Sequence, residues 1–95
     1  MPDWKWHERA ACKGQPLRLM FGPDGERLPD RIIREDIVNQ QFCSHCPVRM
    51  RCLEYAFDTK QAAGVWGGLG EDERAAKRRN WLKRTARERA ATGVA

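Results

Sequence analysis

Three of the four cysteines in this 95-residue chain fall within ten residues, CSHCPVRMRC from Cys43 to Cys52; the fourth, Cys12, lies beyond thirty intervening residues. A chain of this size encloses only a small apolar core, and such cores draw added stability from a disulfide, a metal or a partner. The bulky apolar residues gather between Ile32 and Trp66. Whatever joins the four cysteines therefore decides the fold as well as the chemistry. The candidates are disulfides, a zinc ion, an iron–sulfur cluster or a redox-active pair.

No apolar run is long enough to span a bilayer, and the opening MPDWKWHERAAC lacks the apolar stretch of a signal peptide. The expectation is a cytoplasmic protein with no membrane partner. Reducing conditions there make structural disulfides rare, which moves the reading toward metal or redox chemistry.

The local spacing is C-x2-C-x5-C. Cys43 and Cys46 straddle a turn, so both sulfurs can meet one centre. Pro47 suits the first position of a helix, where a missing N–H costs nothing. Cys46 is then expected at the N-terminus of that helix, where dipole and free N–H groups favour a thiolate, with Cys52 on its second turn. Cys12 must arrive from elsewhere to close the site. Structural zinc sites usually present two short knuckles or a Cys/His set, whereas this chain has one knuckle; His7 and His45 read as surface residues. A redox C-x-x-C pair lacks its βαβ context and leaves Cys12 and Cys52 unexplained. The Cys-Pro step occurs in bacterial cluster-binding runs. On spacing alone, zinc and an iron–sulfur cluster both stay open.

Helical periodicity organises most of the chain. A short helix is expected within residues 1–13 around Trp4, Trp6, Ala10 and Ala11. Residues 15–29, QPLRLMFGPDGERLP, read as loop, with Leu17, Leu19, Met20 and Phe21 as apolar anchors. Asp30 is placed to cap a helix running to Gln41 that turns Ile33 and Ile37 inward. The next helix carries Val48, Cys52, Tyr55 and Ala56, with Met50, Leu53 and Phe57 beside them. GVWGG, residues 64–68, reads as a tight turn or hairpin presenting Val65 and Trp66. EDERAAKRRNWLKRTARERAA follows as a helix, acidic at its start and basic later, as the macrodipole favours. With no strand pair and no repeat, the expected class is all-α: a small bundle of short helices around the cysteine centre, with a Gly-rich turn and a basic C-terminal helix.

The net charge of +5 conceals an asymmetry. Residues 1–73 carry ten Lys/Arg against twelve Asp/Glu, and residues 74–95 carry eight against one. A basic arm on a mildly acidic body suits a polyanion. Arg74, Lys77, Arg78, Arg79, Lys83, Arg84, Arg87 and Arg89 are the candidate phosphate contacts, which are sequence-independent and salt-sensitive. A solvated tail is the plainer reading of the same charges.

Taken in order, Cys12, the run from Cys43 to Leu53, G-V-W-G-G and the following E-D-E-R resemble the WhiB-like proteins of actinobacteria and their phages. The resemblance extends from the Trp4 region to about Arg79. It implies a [4Fe-4S] cluster held by Cys12, Cys43, Cys46 and Cys52, inside a small helical fold. It implies a transcriptional regulator, not an enzyme, with no small-molecule substrate and with responses to redox state or nitric oxide. Its partners would be the C-terminal domain of the principal sigma factor, met by Gly64, Val65, Trp66, Gly67 and Gly68, and promoter DNA, met by the basic segment. The organisation implied is a cluster- and sigma-binding region at 1–70 and a DNA-contacting tail at 71–95. An apo-form protein disulfide reductase acting through Cys43 and Cys46, and a zinc-stapled DNA-binding protein, are the alternatives. Two departures stand out. Where many members have Asp-Pro and Phe-Phe, this chain reads Q-P-L-R-L-M-F, leaving Met20 and Phe21 as cover for the centre. There is also no R-G-R-P minor-groove hook.

Overall fold

A computed structural model describes residues 4–91, and all regular structure among them is helical. A 3₁₀ segment, Trp4–Arg9, leads through turns at 11–14 to α1 (Leu17–Phe21), α2 (Leu28–Gln41), a 3₁₀ turn (Cys43–His45), α3 (Arg49–Thr59) and α4 (Glu71–Ala91). The all-α expectation holds. The helix expected over 1–13 is a 3₁₀ segment followed by turns; residues 1–3 lie outside the described range, as do 92–95 of the tail.

Three boundaries differ from the sequence reading. Helix α2 starts at Leu28 with Arg27 in the cap position, so Asp30 does not cap it but lies in its first turn. The other two differ for local reasons. The stretch expected as loop contains α1: Pro16, at φ −59°, presets the entry, and Gly22, at φ 81°, ends the turn with its N–H on the Arg18 carbonyl at 2.8 Å. Pro47 does not open α3, which begins at Arg49 after Val48 in the cap position. The proline ring pushes the preceding Cys46 into an extended conformation (φ −74°, ψ 124°), so the chain is still outside the helix there. Farther on, α3 ends at Lys60, whose φ of 54° is left-handed, while the Gln61 N–H reaches back to the Ala56 carbonyl at 2.9 Å. That bonding pattern satisfies the last carbonyls of a helix.

The inward face of α2 is the main departure. Ile33 and Ile37 are 60% and 40% exposed, and Ile32 points outward too; Val38, fully buried, is the buried residue of this helix. Arg31, Arg34 and Glu35 occupy the remaining inward positions. Arg34 makes a two-pronged pair with Glu26 (2.8 and 2.9 Å) and donates to the Leu19 carbonyl at 2.8 Å, tying α2 to α1. Arg31 pairs with Glu71 and Asp72, and Glu35 accepts the Glu71 N–H at 3.0 Å. A carboxylate from α2 thus sits on the N-terminus of α4, where the helix dipole favours negative charge. Hydrophobic periodicity located the helix but misassigned its inward face, because the docking side is charged.

Met20, Val38, Cys43 and Val65 form the apolar core, with Cys12, Leu19 and Phe42 packed against it. Cysteines are therefore structural members of the core. A second apolar contact seats α4 on α3: the Phe57 and Trp81 rings lie 5.3 Å apart, and Arg78 Nε donates to the Phe57 carbonyl at 2.8 Å. Beyond Thr85 the described residues of α4 are all exposed. No helix among the described residues is long and apolar enough to cross a membrane.

This arrangement separates residues that look alike in sequence. Val38→Ala should cost about 2 kcal/mol, from reduced burial plus the cavity left behind, whereas Ile33→Ala should stay within about 0.5 kcal/mol, as exposed substitutions do. Urea unfolding of the two variants checks the contrast; equal destabilisation would contradict the observed orientation of α2.

Candidate metal centre

The four cysteines come from three local structures. Cys12 lies in the turn after the first 3₁₀ segment, Cys43 opens the 3₁₀ turn after α2, Cys46 closes that turn, and Cys52 sits in the first turn of α3 with its N–H on the Val48 carbonyl at 2.9 Å. All four line one small cavity of about 30 Å³, roofed by Met20, Phe42 and Val65. None of the four is engaged in a disulfide. The cover expected from Met20 and Phe21 divides: Met20 reaches the cavity, while the Phe21 ring lies over Gly64.

The electrostatics of this cavity follow from crowding sulfur into apolar surroundings. The Cys52 thiol is pushed up to about 12, chiefly by burial, with a Gly67 N–H opposing and the neighbouring cysteines adding to the rise. Burial likewise raises Cys43, against a Gly68 N–H and the Arg49 charge, and raises Cys12, with Cys46 adding to it. Thiolates this close are held together only by a positive centre, because each disfavours the next. The donor set fits a group that takes four thiolates and sits in an apolar enclosure. Among the described residues no three His, Cys, Asp or Glu side chains gather tightly enough to share a single ion; the sulfurs surround a volume. His7 and His45 are exposed, as expected, and neither lines the cavity.

Backbone N–H groups complete the sulfur environment. The Ala11 N–H lies 3.5 Å from Cys46 Sγ. The Gly67 N–H faces Cys52 and the Gly68 N–H faces Cys43, each drawing its thiol down against the effect of burial. These two glycines are the centre of a two-residue hairpin: Trp66 and Leu69 exchange N–H···O bonds of 3.2 and 3.1 Å, with Gly67 and Gly68 at φ 60° and 84°. A primed turn requires positive φ at both central residues. Gly67 also packs against α3, where an added Cβ would lie 2.5 Å from the Leu53 Cβ.

The GVWGG hairpin was legible in sequence, but its faces are distributed differently from the expectation. Val65 is buried in the core, with its N–H on the Met20 carbonyl at 3.1 Å. Trp66 is half-buried; its indole N–H donates to the Ala63 carbonyl at 2.9 Å, and its ring lies 5.7 Å from Tyr55, which stands 5.7 Å from the buried Trp6. The close approach the glycines allow is by this chain's own α3. Cys46 is not at a helix N-terminus, since α3 starts three residues later.

The basic residues also divide. Arg74 does not face solvent as a phosphate contact would require: it is 2% exposed and donates to the carbonyls of Gln61, Ala63, Gly64 and Leu69. Arg78 is half-buried on the Phe57 carbonyl. Lys77, Arg79, Lys83, Arg84, Arg87 and Arg89 lie on exposed parts of α4. The residues on either side of 70/71 form one hydrogen-bonded unit: Glu71 accepts the Gly64 N–H at 3.0 Å and Arg74 grips the same loop. Arg49 was also missed: it lines the cavity and donates to the Gly67 carbonyl at 3.1 Å. A buried arginine carries no sequence signature of its own, although the E-D-E-R run immediately after the glycines was the available cue.

A small all-α fold in which four cysteines line one cavity beside a glycine hairpin defines the class of protein. The chain belongs to the family described as transcription factor WhiB, whose pattern matches residues 6–76. It is 45% identical over 71 residues to the transcriptional regulator WhiD of Streptomyces coelicolor, a match that spans 75% of this chain and 62% of that protein. It is 40% identical over 89 residues to the transcriptional regulator WhiB1 of Mycobacterium tuberculosis, spanning 94% and 98%. The redox-responsive transcriptional regulator WhiB3 of Mycolicibacterium smegmatis is 36% identical over 83 residues, spanning 87% and 85%.

The raised thiols make a pH test with opposite signs for the two forms. In the metal-free protein, Cys52 stays protonated well above its unfolded value, so its contribution to stability is complete below about pH 9 and disappears as pH rises toward about 12. Circular-dichroism melting of the metal-free protein should show Tm falling over that interval. The metal-bound form instead requires thiolates, so acid should strip it.

Proposed function

We propose that Cys12, Cys43, Cys46 and Cys52 hold a [4Fe-4S] cluster, and that the protein is a cluster-dependent transcriptional regulator. The carrying observation is the convergence of four cysteines, from three separate local structures, on one small cavity. Membership of the WhiB family supports the regulatory role, and redox-responsive relatives support a cluster that reports redox state or nitric oxide. When bound, such a cluster supplies a reversible electron-accepting and oxidant-sensitive centre. The chain's own part is to exclude water with Met20, Phe42 and Val65, to supply N–H donors to the sulfurs, and to tie Cys12 to the α2–α3 region.

Two surfaces follow from this reading. The half-buried Trp66, packed at a tilt against Tyr55, meets the C-terminal domain of the principal sigma factor with the glycines around it; aromatic anchors of this kind dominate interfaces. The exposed cations of α4 meet promoter phosphates, and Arg79, Lys83 and Arg87, four residues apart, align on one side of the helix. Sequence choice then rests with sigma and the promoter, since phosphate contacts carry none.

The disulfide-reductase alternative needs an exposed, acidic thiol. Cys43 is buried with its thiol raised, which favours the regulatory reading.

Anaerobic purification should yield brown protein containing iron and acid-labile sulfide, and replacing any one of the four cysteines by Ala should abolish both. A colourless protein with stoichiometric zinc would sink the cluster assignment. For DNA, replacing Arg79, Lys83 and Arg87 by Ala should reduce the slope of log K against log salt by roughly 0.9 for each phosphate no longer neutralised. An unchanged slope in a fluorescence-anisotropy titration would remove α4 from the DNA interface.

A further inference from the structure

Arg74 directs its guanidinium at four carbonyls on either side of the glycine hairpin. Nε and Nη2 donate to Gln61 at 3.1 and 3.0 Å, Nη2 to Ala63 at 3.2 Å, and Nη1 to Gly64 and Leu69 at 2.7 and 3.0 Å. The Leu69 carbonyl also accepts the Trp66 N–H that closes the hairpin, and the Gly64 N–H is held by Glu71 of the same helix. Both ends of the 64–69 loop are thus gripped from the first turn of α4. Between those ends stand Gly67, which lines the cavity together with the four cysteines, and Gly68, and their N–H groups face Cys52 and Cys43. From the other side, Arg49 of α3 holds the Gly67 carbonyl.

We propose that Arg74 is a positioning residue of the metal centre: by clamping the Gly64 and Leu69 carbonyls it aims the Gly67 and Gly68 N–H groups at two of the four sulfurs, and so joins α4 to the state of the centre. The inference rests on the proposal that the four cysteines hold a metal group. Its physical basis is an asymmetry in the acceptor. A metal-bound thiolate is charged and accepts N–H bonds strongly, whereas a neutral thiol accepts weakly. Loading the centre therefore tightens the hairpin, and the hairpin's carbonyls hold the first turn of α4 through Arg74. Emptying it slackens the same chain of bonds and loosens the seat of the helix that carries the exposed cations. Lysine cannot replace arginine here, because a single ammonium cannot serve four carbonyls with the geometry of a planar fork.

A structural role alone would make Arg74 matter for folding without reaching the centre's electronics, so the test reads both. Arg74→Lys and the control Arg78→Ala, which removes a different α4-to-body bond, are prepared anaerobically beside the parent chain. N–H···S bonds stabilise the more negative, reduced cluster. Arg74→Lys should therefore retain iron and sulfide but shift the midpoint potential to a more negative value. Hydrogen–deuterium exchange across residues 64–70 should rise by roughly tenfold, as loss of a hydrogen bond from a charged donor implies. Arg78→Ala should match the parent in both. Unchanged potential and exchange in Arg74→Lys, or the same shift in both variants, would overturn the proposal.

Should Arg74→Lys fail to fold, the parent chain decides the matter. Chelating its metal should raise exchange in 64–70 and in 71–76 together, while retained protection in either segment refutes the link. A parent that carries zinc refutes the cluster, and the exchange comparison then judges the positioning role with zinc bound.

Discussion

Four sulfurs crowded into one apolar cavity are unstable as a set of anions, and much of the fold answers that constraint. Burial and mutual repulsion push Cys12, Cys43 and Cys52 toward the protonated form. A positive group reverses the balance, and its binding energy then becomes folding energy in a domain with little else at its centre. Two of the residues that make up the core and its margin are Cys43 and Cys12. Removing the staple thus removes part of the core as well as the link between the N-terminal turns and the α2–α3 region.

Around that centre the remaining contacts are polar. Arg34 and Glu26 lock α1 to α2, Glu35 and Arg31 lock α2 to α4, and Arg74 and Glu71 lock α4 to the hairpin. Most of these pairs are partly screened from water, where directional bonds carry more weight than at an open surface. Apolar packing is confined to the roof of the cavity, the Trp6–Tyr55–Trp66 stack and the Phe57–Trp81 contact. The molecule is therefore held by specified partners more than by bulk burial, which suits a chain with one-third charged residues.

The same trait explains what could be read from sequence. The span of α4, the glycine hairpin and the four-cysteine convergence were legible because each has a local signature: a charge gradient, positive-φ residues, or thiol chemistry. The orientation of α2 was not, since Ile33 and Ile37 mimic an inward face while the docking side is Arg31, Arg34 and Glu35. Short α1 was hidden among Gly and Pro, although Pro16 and Gly22 mark its limits. Arg74 was miscast because it sits at the edge of a basic run, and only the fold distinguishes it from the exposed cations that follow.

The sulfur-facing donors on the hairpin are main-chain amides of residues without side chains. No substitution at Gly67 or Gly68 can exchange one donor for another; a larger residue there disturbs the turn before it changes any chemistry. Variation in how such a centre behaves must then be introduced from outside the turn, through groups such as Arg49, Arg74 and Met20 that set its position or its shelter. A regulator built this way keeps an invariable main-chain face toward its cysteines and leaves their surroundings to be adjusted at a distance.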